Sequence, residues 1–338
     1  MKAAVVYGIN DLRLEEIEKP QIERDDQILV KIKAVGICGS DIHILHGANP
    51  FATYPRIMGH EMVGEVEAVG DNVKNIAIGD HIVVEPITYC GKCYACRKGM
   101  PNVCQQLKVS GVHVDGGMRE YIVIAEKQAH KIKKDIPWTT AVLAEPYTIA
   151  GNVTTRTNIS AGDKVVIQGA GPIGITILRM AKVKGATVLV TDMVDEKLAF
   201  AKENGADMVV NPSKENLIEA VKTWTDEEMA NVVIDAACTP KTFEICFDLV
   251  SIAGTIGVLG MNEKPSNIPQ IHFMKKQLTV VGSRLQAYQF APVIRLMEAG
   301  YLNDALVTHK FKFSDIKEAF KLIEENPEKV KKAVLIFE

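Results

Sequence analysis

Between Asp163 and Ser283 the chain alternates short apolar runs with longer amphipathic ones, and this restricts its fold more than any other feature. KVVIQG reads as a continuous apolar strand, PIGITILRMAKVKG has helical spacing, TVLVTD is a second strand and DEKLAFAKENG a second helix. DMVV, a polar helix through Trp224, NVVIDAA, a helix after Pro240, GTIGVLG and LTVVGS continue the pattern. Strands without polar alternation are those covered on both faces, and their alternation with helices predicts a parallel sheet. Six such strands fit one doubly wound domain.

The first ~150 residues have a different texture. KAAVVY, QILVKIKAVGI, MVGEVEAVG and DHIVVEP are short β-rich runs broken by Gly, Pro, Asn and Asp, which predicts a small, irregular β-rich domain. After about Ser283 only two helical segments and a final strand, KKAVLIFE, are expected, too few for a third core. This tail is expected to return to the first domain. The expected division is 1–150 with 286–338, and 151–285. The charged run EENPEKVKK before the last strand reads as a solvated helix end and turn.

The chain has 338 residues, of which 47% are hydrophobic, enough for two sizeable cores. Its net charge of −3 supplies no global positive field, so nucleic acid and anionic membranes are not expected partners. No uncharged apolar run approaches the ~18 residues that span a bilayer. The start, MKAAVVYGIN, lacks a signal-peptide pattern, and a cytoplasmic location is expected.

In that reducing compartment clustered cysteines favour metal over disulfides. Cys90, Cys93, Cys96 and Cys104 have the spacing C-x2-C-x2-C-x7-C. Four thiolates on one short loop can wrap one ion tetrahedrally, and Zn²⁺ is the usual occupant of such closed sites. Gly91 and Gly99 permit the turns. Two local disulfides or an iron–sulfur cluster are the alternatives. A zinc with four protein ligands has a structural role.

A second set is dispersed: Cys38 in GICGSDIH, His60 and Glu61 in GHE, and Glu145 in LAEPY. Singly, each is more simply a core or satisfied polar residue. Together they offer a thiolate, an imidazole and one or two carboxylates, and a catalytic zinc wants three protein ligands and an open position. Gly36, Gly39 and Gly59 flank the Cys and His, as expected where backbone bends closely around an ion.

GAGPIG follows the strand KVVIQ and opens a helix. In this context Gly169 makes the tight turn, Gly171 admits a pyrophosphate and Gly174 packs helix on strand, with Pro172 and Ile173 in the first helical turn beneath the anion. Asp192, 18 residues after Gly174, ends the next strand and can accept bonds from adenosine ribose hydroxyls, which favours NAD over NADP. Its alternative role is to N-cap the following helix. Lys197, one turn on, leaves room for a 2′-phosphate.

GICGSDIH, GHE, the four-cysteine lobe, the Glu-Pro pair at 145–146 and GAGPIG occur in this order, and the whole sequence resembles the zinc-dependent medium-chain dehydrogenase/reductase family. YPRIMGHE, SGVHVDGGMREY and EPYTIAGNV look like its sorbitol dehydrogenase-like branch, and within it the bacterial L-galactonate and L-gulonate 5-dehydrogenases and starvation-sensing relatives. The resemblance implies a chaperonin-10-like catalytic domain, a Rossmann domain for NAD, and an active site in the cleft between them. It implies Cys38, His60 and Glu145 as catalytic zinc ligands, and Glu61 as an alternate ligand or a base behind them. A Glu rather than a Cys as third ligand is the pattern of the polyol branch. It also implies a homodimer or homotetramer.

The implied reaction moves a hydride from a secondary alcohol of a sugar acid or polyol to NAD, with zinc as Lewis acid. Ser40, the cofactor ribose and His43 would relay the proton; otherwise Ser40 caps a short helix and His43 is a surface residue. Arg119 and Arg284 are candidate partners for a substrate carboxylate, or else members of structural ion pairs. Other readings are a threonine, butanediol or different polyol dehydrogenase, a non-catalytic cofactor-binding sensor, or a zinc-ribbon docking module.

Overall fold

The structure, a computed structural model, describes residues 1–261 and 263–338. The chain forms two compact units, Met1–Glu145 with Phe290–Glu338, and Pro146–Gln289.

The first unit is organised around one strand, Gln27–Ile37. Its sequence, QILVKIKAVGI, is apolar at nearly every position from Ile28 on, so it can be covered on both faces, and it lies inside a seven-stranded sheet. Glu61–Val69 pairs antiparallel with it, Gly36 opposite Glu61. The final strand, Lys332–Ile336, pairs antiparallel on its other side, Ala333 opposite Ile37. Two segments remote in sequence thus flank the end of the central strand just before Cys38. A three-stranded sheet (Lys2–Gly8, Asp11–Glu16, Arg56–Ile57) and a two-stranded ribbon (Ile87–Thr88, Lys108–Val109) complete the unit's sheets among the described residues.

The tail departs from the sequence reading in two ways. Besides the helices Phe290–Glu298 and Ile316–Glu325 it contains a further strand, Val307–Lys312, parallel to the last one. VTHKFK is polar on alternate positions and half-buried on the others, so its apolar signal is weak and cross-strand pairing decides its state. The run EENPEKVKK also does not stay in solvent throughout. Glu324 and Glu325 end a helix, but Lys332 opens the final strand and is buried.

The second unit is a six-stranded parallel sheet in the order Met208–Val210, Thr187–Thr191, Lys164–Gln168, Ala230–Asp235, Val250–Val258, Thr279–Gly282. The order reverses direction beside Lys164–Gln168, the switch point at which doubly wound sheets bind ligands. The α/β class expected from the sequence is the class observed. The helix Pro172–Val183 follows the first strand and buries Gly174, Ile175, Ile177, Leu178 and Ala181. It stops at Gly185, whose φ of +83° only glycine adopts without strain. Among the described residues no helix is long and apolar enough to cross a membrane.

Candidate metal centres and cofactor turn

Cys90, Cys93, Cys96 and Cys104 lie on the loop joining the two strands of the ribbon, which staples the loop's ends. Gly91 and Gly99 have φ of +72° and +74° and make its turns. The sulfurs stand 3.5 Å (Cys93–Cys96), 3.8 Å (Cys93–Cys104) and 3.4 Å (Cys90–Cys104) apart. A disulfide needs ~2.05 Å. A tetrahedron with Zn–S bonds of ~2.3 Å has edges of about 3.8 Å, so the set fits zinc. None of the seven cysteines is in a disulfide among the described residues. The amides of Cys90 and Gln106 donate to Cys104 Sγ, and that of Cys93 to Cys90 Sγ. Backbone donors from Cys96 and Gln105 pull the Cys93 thiol down to about 6, which favours the thiolate a metal needs.

The second centre begins at Cys38, the N-cap residue of the helix Gly39–Leu45. Asp41, fully buried in that helix's first turn, accepts the Cys38 amide (2.9 Å) and the Gly59 amide (3.3 Å). One carboxylate thereby fixes the backbone beside Cys38 and beside His60. Its oxygen also lies 3.7 Å from His60 Nδ1, while His60 Nε2 is 3.4 Å from Ser40 Oγ. Gly59, with φ +93°, makes the bend before His60. Cys38 Sγ, a nitrogen of His60 and a carboxylate oxygen of Glu61 all lie within 4.8 Å of one another.

Glu145 is buried at the start of the helix Ala144–Arg156. Burial pushes its carboxyl up to about 7, His60 and Lys332 oppose that shift, and Glu61 and Asp41 reinforce it. Burial would lower His60, but Asp41, Cys38 and Glu145 outweigh it and hold the imidazole well above its ordinary value. Among the described residues His60 Nδ1 is buried without a hydrogen-bond partner. A thiol, an imidazole and several carboxylates thus converge around one ammonium, that of Lys332, and this donor-rich, anionic set fits a divalent zinc ion.

Asp41 and Lys332 are the residues that sequence reasoning missed. Asp41 had a local signal, three residues after the Cys38 N-cap, where a side chain can reach back to the cap amide. Lys332 had only its position before an apolar run.

The other candidates fall as follows. Ser40 and His43 share the short helix; Ser40 is half-buried against His60, and His43 is exposed. Ser40 is not the cap, since Cys38 holds that position. Arg119 is largely buried, which lowers its pKa, and among the described residues its Nε has no hydrogen-bond partner. Asp115, the carboxylate facing it, pairs instead with Arg56 at 2.9 Å. Arg284 is exposed and lies in the second unit.

In the second unit Gly169 has φ +100° and its amide donates to Thr191 O at 2.7 Å. A Cβ on Gly174 would stand 1.9 Å from Gly169 O, so the helix approaches the turn only because Gly174 has no side chain. A Cβ on Gly171, the helix N-cap, would meet nothing within 4 Å, and Pro172 and Ile173 follow as the first helical residues. That open glycine at a helix N-terminus suits a pyrophosphate. Asp192 accepts the Ala170 amide (2.9 Å) and the Val194 amide (3.0 Å). It does not cap the helix Asp195–Glu203, whose cap is Val194. Lys197 is half-buried in that helix.

Comparison with known proteins agrees with this geometry. Residues 24–134 match the model of the alcohol dehydrogenase GroES-like domain, and residues 172–299 that of the zinc-binding dehydrogenases. The chain is 40% identical to the starvation-sensing protein RspB of Escherichia coli K12 over 100% of its own length and 99% of that protein's. It is 33% identical to L-galactonate-5-dehydrogenase of the same organism, over 94% and 93% of the two chains. A crystal structure of an alcohol dehydrogenase (rspB) from E. coli CFT073, complexed with NADH, superposes with a TM-score of 0.94 at 39% identity, covering 100% of this chain and 99% of that one.

Proposed function

The chain belongs to the zinc-dependent medium-chain dehydrogenase/reductase family, and from that premise we propose that it oxidises a secondary alcohol of a sugar acid, of the L-gulonate or L-galactonate kind, with NAD as hydride acceptor. The observation that carries the reading is the convergence of Cys38, His60 and Glu61 within 4.8 Å, with Glu145 buried and electrostatically linked to them.

Cys38 and His60, with Glu145 as third ligand and Glu61 as an alternate one, would hold the catalytic zinc, and the four-cysteine lobe a structural one. The catalytic ion supplies Lewis-acid chemistry that lowers the pKa of an alcohol. The rest falls to the chain's own residues. Asp41, whose carboxylate lies 3.7 Å from His60 Nδ1, would supply negative charge behind the imidazole. Ser40 Oγ, beside His60, would accept the substrate's hydroxyl proton, and His43, exposed on the same short helix, would release a proton to water. The turn Gly169–Gly174 binds the pyrophosphate. Asp192 accepts the ribose hydroxyls and repels a 2′-phosphate. Arg119, with an unpartnered Nε, is the better candidate of the two arginines for the substrate carboxylate.

Cytoplasmic residence is part of the same reading. A homodimer or homotetramer is also part of it. The edge strand Thr279–Gly282 and the exposed Ile252, Ile271 and Met274 support self-association, and sedimentation at several concentrations tests it.

The test is a substrate panel of sugar acids, their neutral polyols, threonine and butanediol, read by NADH formation. Sugar acids should give the highest kcat/KM. Equal kcat/KM for acid and polyol would remove the carboxylate contact. No turnover with any alcohol by zinc-loaded protein would favour a cofactor-binding sensor.

A further inference from the structure

Asp41 fixes the backbone beside Cys38 and beside His60, but Glu145 arrives on another segment. That segment begins with the short helix Trp138–Ala141 and runs through Val142 and Leu143 into the helix that carries Glu145. Its backbone is bonded turn by turn. The amides of Thr140 and Ala141 donate to Pro137 O, both at 2.9 Å, that of Val142 to Trp138 O at 3.0 Å, and that of Leu143 to Thr140 O at 3.1 Å. Ala141, Val142, Leu143 and Ala144 are fully buried. A hydrogen-bonded, close-packed run of this kind has little slack, so what holds its start also places its end.

The start is held from two sides by residues remote in sequence. The Trp138 ring lies on the imidazole of His81, with centroids 4.2 Å apart and planes 32° apart. Among the described residues His81 Nδ1 is buried without a hydrogen-bond partner, so packing on Trp138 is what this face of the molecule uses the ring for. His81 opens the strand His81–Val84, which pairs with Glu61–Val69, the strand that His60 leads into. Trp138 therefore rests on the neighbour of the strand that places another ligand. On the other side Thr139, itself buried, donates from Oγ1 to Asp304 Oδ2 at 2.9 Å, and Asp304 lies in the tail, 165 residues on.

We propose that Trp138, seated on His81, and Thr139, bonded to Asp304, are positioning residues that set where the segment delivers the Glu145 carboxylate to the Cys38–His60 centre. The pair acts on the centre through Glu145 alone. The proposal rests on the reading of Glu145 as the third zinc ligand.

The test is a double-mutant cycle on full-length protein, read as zinc affinity at each centre by chelator competition. Trp138→Ala should weaken zinc binding at the Cys38 centre by about tenfold and leave the lobe's unchanged, the size expected when a residue that orients a ligand is lost. Trp138→Phe, which keeps a ring on His81, should restore the wild-type affinity. Glu145→Gln alone should weaken the same zinc, and adding Trp138→Ala to it should cost nothing further, because the two act as one unit. A tenfold loss that persists in the Glu145→Gln background overturns the proposal. So does wild-type affinity in Trp138→Ala, or an equal loss at both centres, which a merely structural role would give. Thr139→Val, which keeps the shape of the side chain and removes its bond to Asp304, should show a smaller loss with the same dependence on Glu145. If Trp138→Ala does not fold, Thr139→Val decides by the same cycle. Failure of the underlying zinc reading looks different, since Glu145→Gln would then keep the wild-type affinity.

Discussion

The lobe at Cys90–Cys104 takes its four sulfurs from fifteen consecutive residues, whereas the centre around His60 draws on segments spread from Cys38 to Lys332. The lobe is half-exposed, made of one ligand type, and ordered by its own amides. Apart from the half-buried Cys38 the second centre is buried, mixed in donor type, and ordered by the Asp41 carboxylate and the Lys332 ammonium. A structural ion needs only to be enclosed. A catalytic one must be held while remaining reachable, and that limits how many of the nearby donors can be used.

The comparison can be broken by separating the centres. Cys38→Ser should lower kcat/KM by about 10³-fold or more, roughly 4 kcal/mol of transition-state stabilisation, with a small change in melting temperature. Cys93→Ser should do the reverse, lowering the melting temperature by on the order of 10 °C while the zinc at the Cys38 centre is retained. Metal analysis and calorimetry on both variants check this. If Cys93→Ser loses turnover as completely as Cys38→Ser, the division of roles is wrong.

Protonation sharpens it. Glu145 sits at about 7 in the folded chain against an ordinary 4.5, because burial disfavours its charge. A carboxyl raised by folding stabilises the metal-free protein fully below the ordinary value, and this contribution is lost as pH rises through about 7. Metal-free protein should therefore lose up to ~3 kcal/mol between about pH 5 and about pH 8 from this group. Bound zinc, which takes the ionised carboxylate, should abolish that loss. Glu145→Gln should flatten the metal-free profile, and an unchanged slope in that variant would assign the effect elsewhere.

Asp41→Asn gives a smaller effect. It should keep the fold, since an amide oxygen can still accept from Cys38 and Gly59, but lose the charge beside His60. Zinc affinity at that centre should fall ~10–100-fold, with the lobe's unaffected. Chelator competition measures both.

The same contrast explains what could be read in the sequence. The parallel sheet was legible because KVVIQ, TVLVT and NVVID are apolar throughout, and GAGPIG because its context is local. The lobe was legible from spacing alone. Strand Val307–Lys312 was not, because its alternating polar residues acquire meaning only beside the final strand. Lys332 was read as solvated because its neighbours in sequence are charged, while the partner that buries it, Glu61, is 271 residues away. Asp41 lay in plain view, yet its contact with Gly59 spans 18 residues. Local spacing carries the cysteine lobe, and strand register carries the dispersed centre.

The most direct test is to count zinc per chain by native mass spectrometry in wild-type and Cys38→Ser protein. Two ions in the wild type and one in Cys38→Ser, with alcohol oxidation lost, is the expected result. One ion in the wild type, or two in a Cys38→Ser protein that still reduces NAD, would contradict the account.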